Sequence, residues 1–166
     1  MDTSSFIGKT LERVFAFPSG PVHPAWVNEL TTPIVTWAAY LDLGSVDVVH
    51  VDACEIVVDA EKYPSLGLSF APVSRNVLRR TYQDGGVAVA EELREAAELL
   101  PARICAVVES DPLGGGCVSE CILQLEGGGH ILFRHIFPPE TLGIAVEKHG
   151  RAPNNSSKPT PLRGAA

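Results

Sequence analysis

Residues 117–137 read CVSECILQLEGGGHILFRHIF. Two apolar, strand-like runs, 117–126 and 130–137, flank Gly127, Gly128 and Gly129. Glycine adopts the positive φ that tight hairpins need, so the stretch predicts an antiparallel pair closed by a glycine turn. Placing Leu125 opposite His130 sets Ile122 against Phe133, Cys121 against Arg134 and Glu120 against His135. Before and after this hairpin in the chain, residues 102–110 and 142–147 read as strands. Residues 9–17 suggest a first strand. Residues 34–43 alternate, with Val35, Trp37, Ala39, Leu41 and Leu43 on one face. Residues 46–60 are rich in β-branched side chains and long enough to predict a bend near Asp52–Cys54; an extended run resumes at Leu68.

One segment has a helical period. In residues 87–100, VAVAEELREAAELL, a stripe of Val89, Leu93, Ala96, Ala97 and Leu100 predicts the principal helix, stopped by Pro101. Its charged residues read as a solvated face. Strands, one helix, then strands point to an α+β fold: a curved, mainly antiparallel sheet, barrel- or roll-like, with that helix over about 87–100. Regular βαβ alternation is missing, which argues against a doubly wound fold. Residues 1–150 form the expected single domain.

Composition narrows the function classes. The chain has 166 residues, 45% hydrophobic and 20% charged, as globular domains do. No stretch approaches the roughly 20 apolar residues of a membrane helix. The opening MDTSSFIGKT lacks the basic and apolar regions of a secretion signal, so a cytoplasmic location is expected, with no membrane partner. A net charge of −7 repels phosphate backbones and argues against nucleic acid. Cys54, Cys105, Cys117 and Cys121 are expected to be reduced and mostly buried.

The last residues, 151–166, read RAPNNSSKPTPLRGAA, with three cations, no carboxylate side chain and no hydrophobic period. Within them, NNSSKPTPLRGAA resembles the in-frame translation of the recombination site that ends a mobile integron gene cassette. The resemblance covers residues 154–166 alone. It implies a bacterial gene that moves as a cassette, many of which encode small single-domain accessory proteins. It also implies that DNA folding rather than protein chemistry shaped the tail.

Several constellations carry candidate chemistry. Cys117, Cys121, His130 and His135 have zinc-like ligand types. His130 and His135 are an odd number apart on one strand, so they face opposite ways, and no metal is expected. Glu120 opposite His135, with Glu109 nearby, is the candidate acid–base group. His50, Asp52 and Cys54 share one strand face. Their spacing of about 7 Å exceeds direct hydrogen-bond reach, and the alignment reads as chance. DPLGGGC (111–117) lacks a phosphate-loop lysine and reads as a turn. Arg75, Arg79 and Arg80 are the body's cation cluster; on a helix Arg75 and Arg79 would share a face and clamp an anion. Trp26, Trp37, Tyr40, Tyr63 and Tyr82 are candidates for lining a small-molecule cavity, with Trp37 equally suited to the core. Trp26, Ile131, Phe133 and Phe137 are the candidate interface of a homo-oligomer, a dimer being favoured, although the last three suit a core as well.

These readings favour a non-enzymatic ligand-binding or protein-interaction module without a cofactor. Its partners would be a small molecule, another protein or a second copy. The alternative is a small enzyme using Glu120, His135 or Glu109. If the tail is cassette read-through, deleting residues 154–166 leaves the melting temperature unchanged within a degree or so by calorimetry; a loss of several degrees would mean that the tail packs on the body.

Overall fold

The computed structural model describes residues 1–17, 34–59, 63–136 and 140–148. Thirteen strands carry it: β1 (Thr10–Leu11), β2 (Arg13–Ala16), β3 (Ile34–Thr36), β4 (Ala38–Asp42), β5 (Asp47–Ile56), β6 (Ser65–Ser74), β7 (Arg79–Thr81), β8 (Val87–Val89), β9 (Glu91–Glu92), β10 (Ala102–Ser110), β11 (Glu120–Leu125), β12 (His130–Ile136) and β13 (Thr141–Glu147). A six-stranded sheet runs β1-β10-β11-β12-β13-β3, and a five-stranded sheet runs β6-β5-β4-β2-β9. Every strand pairing is antiparallel, and the strands curl into a half-barrel. Among the described residues no helix is long and apolar enough to cross a membrane.

Two chain segments belong to both sheets. Residues 10–16 leave the six-stranded sheet as β1 and enter the five-stranded sheet as β2, turning at Glu12. Residues 34–42 do the same as β3 and β4, turning at Trp37. Strands that switch sheets at a bend make the corners of such packings. Between the sheets lies one core. Leu123, Ile131, Phe133, Leu142 and Ile144 come from one sheet, and Val14, Leu41, Val51, Leu68 and Phe70 from the other. Ile131 and Phe133 are fully buried there, so they present no surface to a partner.

The central hairpin forms as β11 and β12, with its register one residue from the sequence expectation. Glu120 pairs with Arg134, Cys121 with Phe133 and Leu123 with Ile131. Leu125 donates to Gly129 O at 2.8 Å, so the loop holds three residues rather than four. Gly127 and Gly128 take φ of 94° and 93°, which only glycine adopts freely. A one-residue slip changes every partner. Glu120 therefore meets the Arg134 guanidinium, 2.7 Å from its Nε, rather than His135.

The helix expected over 87–100 is reduced to α1 (Arg94–Ala97). Val87–Val89 folds back on β7 as a hairpin, turned by Gly85 at φ 84° with the Asp84 side chain accepting from Gly86 N. Glu91–Glu92 extends the edge of β2, and Leu93 N donates to Val14 O. The segment is rich in good helix formers, but propensity is a weak prior, and it yields where neighbouring strands offer hydrogen bonds. The bend expected near Asp52–Cys54 is also missing: β5 pairs with β6 without a break from Asp47 to Ile56. The extended run expected from Leu68 begins earlier, because Ser65 to Gly67 belong to β6.

Two polar groups organise the shell. Asp42, 2% exposed, accepts from Arg13 at 2.9 Å and from both Arg75 terminal nitrogens at 3.0 and 2.5 Å. Its hydrogen bonds to Arg75 hold its carboxyl below the usual carboxylate range. His135, 1% exposed on β12, places Nδ1 2.8 Å from Gly67 O on β6, while Nε2 accepts from Glu140 N at 3.2 Å. A neutral ring protonated on Nδ1 satisfies both bonds. His135→Leu keeps the volume but leaves a buried carbonyl and an amide without partners. It is expected to cost about 2–4 kcal/mol, a fall in melting temperature of roughly 5–15 °C measured by calorimetry.

Candidate functional site

Strand β5 turns two faces to two environments because strand side chains alternate. Val49, Val51 and Ala53 enter the core between the sheets. His50, Asp52 and Cys54 therefore stand on the outer face. Residues paired across strands share a face, and the partners here are small. Asp52 lies between Ala38 and Ser69, and Cys54 faces Gly67. The small neighbours of Asp52 leave a depression in the sheet surface. A second apolar cluster fills part of that face, where Phe17, Tyr40, Val48 and Ala90 pack with Leu78 and Ala88 of the β7–β8 arm. What remains open is a cleft of about 370 Å³ walled by Trp37, His50, Asp52, Cys54, Arg80 and Glu140.

Each wall has a structural cause. Trp37 sits at the corner between β3 and β4, off both sheets, and is 47% exposed. Of the two places that the sequence leaves open to it, cavity wall and core, it takes the cleft wall. His50 stacks on Tyr40, its cross-strand partner, with ring centroids 5.1 Å apart. Burial pushes the His50 pKa down, so its ring is neutral at physiological pH. Arg80 comes from the arm. Its guanidinium lies 4.9 Å over the Phe17 ring and donates to Tyr40 Oη at 2.9 Å. Glu140 caps the corner before β13 at φ 62°, a left-handed conformation that non-glycine residues rarely adopt, and its amide is tied to His135. The Thr141 hydroxyl beside it is buried without a hydrogen-bond partner among the described residues.

Asp52 is the chemically uncomfortable member. It is half-buried, and no described residue donates a hydrogen bond to its carboxylate. Burial pushes its pKa up, the nearby His50 opposes this, and the Glu140 charge adds to the rise. Cys54 is no activated nucleophile: burial raises its pKa, and its thiol pairs with Ser69 rather than with His50.

The other expected site residues are scattered. Glu120 forms its ion pair with Arg134, and Glu109, exposed on β10, accepts from Thr3 Oγ1 at 2.6 Å. His135 spends both ring nitrogens on backbone groups, so the three expected acid–base residues do not converge. Of the zinc-like set, Cys121 is in the core with its thiol pushed up to about 12 by burial, and His130 approaches Glu147 at 3.4 Å. Among the described residues no three His, Cys, Asp or Glu side chains stand close enough to share a metal. Cys105 is exposed rather than buried.

Arg75 starts a 3-10 turn and Arg79 opens β7, so they do not share a helical face, and Arg75 is committed to Asp42. The glycine loop after β10 is filled by its own Asp111, whose carboxylate accepts from Gly115 N and Gly116 N at 3.1 and 2.7 Å. A phosphate has no free amides there. Tyr40 is buried behind His50 instead of lining the cavity with its ring. Trp26 and Phe137 lie outside the described residues.

An acid whose folded pKa is raised destabilises the fold above its unfolded pKa. Asp52→Asn is therefore expected to match the parent near pH 3. It should melt a degree or more higher as pH rises above about 4, as followed by melting curves across pH. No family model, curated protein or solved structure matches this chain.

Proposed function

We propose that the protein is a non-catalytic accessory module, encoded on a mobile gene cassette, that binds a small molecule in the Trp37 cleft. One observation carries this reading: the cleft joins a half-exposed indole to a half-buried carboxylate that no described residue satisfies. Proteins retain such groups where a ligand supplies the missing donor. The volume of about 370 Å³ falls at the small end of ligand pockets, which span about 300–1,000 Å³. The absence of a nucleophile–base relay at Cys54, His50 and Asp52 supports binding over catalysis, as does the dispersal of Glu120, His135 and Glu109. The tail's resemblance to a cassette site fits a small accessory protein. Self-association would use surfaces other than Ile131 and Phe133.

The chain has two tryptophans, so Trp26→Phe leaves Trp37 as the sole indole reporter. Titrating that variant with a library of small fragments is expected to give saturable changes in Trp37 emission for some members at submillimolar concentration. If no fragment changes it up to several millimolar, the cleft is not a binding site.

A further inference from the structure

We propose that the cleft selects small organic ammonium ions, held by the Asp52 and Glu140 carboxylates against the exposed face of Trp37. This rests on the ligand-binding reading above and specifies its ligand class.

The charges in the cleft do not balance. Asp52 and Glu140 bring two carboxylates, Arg80 brings one guanidinium, and His50 is held neutral by burial. The Arg80 charge is also partly engaged, lying over Phe17 and bonded to Tyr40 Oη. A cation therefore corrects the imbalance and an anion worsens it. Hydrogen bonding agrees with charge. The Asp52 carboxylate is an acceptor that lacks a donor among the described residues, and an ammonium supplies three. The third wall agrees as well, because the indole face is the strongest cation–π partner among side chains. The overall charge of −7 draws cations toward the molecule before contact.

Glu140 adds direction. Its left-handed backbone, φ 62°, and the amide bond to His135 fix the residue at the cleft rim. A carboxylate on a pinned corner approaches a ligand with little loss of freedom. Its route to the site is long-range, since His135 is itself locked to Gly67 on the other sheet.

The test uses the full chain carrying Trp26→Phe. The probes are a panel of primary ammonium compounds of varied shape, each with its neutral alcohol and anionic carboxylate isosteres. Trp37 emission reports occupancy. At low salt, ammonium members are expected to bind at least tenfold tighter than either isostere. Asp52→Asn and Glu140→Gln should each weaken ammonium binding about tenfold and alcohol binding much less. Circular dichroism and melting curves verify that both variants fold. Carboxylates binding as tightly as ammonium ions would point to Arg80 as the anchor and overturn the ligand class, with the binding site left standing. Equal affinity across the three isosteres would overturn it likewise. No response from any probe, or from the wider fragment library, would remove the binding site itself.

Discussion

The imidazole of His135 is the contact on which the molecule's shape depends. It sits on the six-stranded sheet, donates to Gly67 on the five-stranded sheet, and accepts from the amide of Glu140 at the corner before β13. Both bonds are buried or nearly so, in surroundings where an unmade hydrogen bond is expensive. The consequence reaches the outer surface. The same ring that joins the sheets also holds the strained residue whose carboxylate forms one wall of the cleft.

The cleft follows from a conflict between sheet packing and surface packing. The inward face of β5 gives the core Val49, Val51 and Ala53. Its outward face is covered by the β7–β8 arm only as far as Tyr40 and Val48. Beyond the arm's reach the cross-strand neighbours of Asp52 are Ala38 and Ser69, too small to fill the surface, whereas Ile56 and Cys117 cover the space over Gly67. Asp52 is left half-desolvated there without a donor among the described residues. Such an arrangement lowers stability, and sites that bind ligands commonly carry this cost.

The cleft was half visible from alternation alone. Period two places His50, Asp52 and Cys54 on one face, and that face is real. Judged by direct contact between these three, the alignment reads as chance; in the structure the Cys54 thiol pairs with Ser69. Their importance comes from the residues around them. Alternation along 34–43 leaves Trp37 equally suited to a cavity wall and to the core. The chain changes sheets at that residue, which turns the indole outward. Arg80 was grouped with its sequence neighbours Arg75 and Arg79. The structure sends Arg75 to Asp42 and Arg80 to the cleft. Glu140 carried no local signal, since its backbone conformation is imposed by His135.

By itself the sequence determined the strand-rich class and the glycine-closed hairpin. Those are local matters of alternation, β-branching and turn chemistry. Register, the fate of residues 87–100 and the assembly of the cleft were decided by tertiary structure. A three-residue rather than four-residue loop shifts every pair by one. A four-residue helix replaces a longer one because strand edges at β2 and β7 accept the same backbone. The cleft draws its walls from β5, the β3–β4 corner, the arm and the β12–β13 corner, segments far apart along the chain. Only the closing of two sheets on one core brings them around a single cleft.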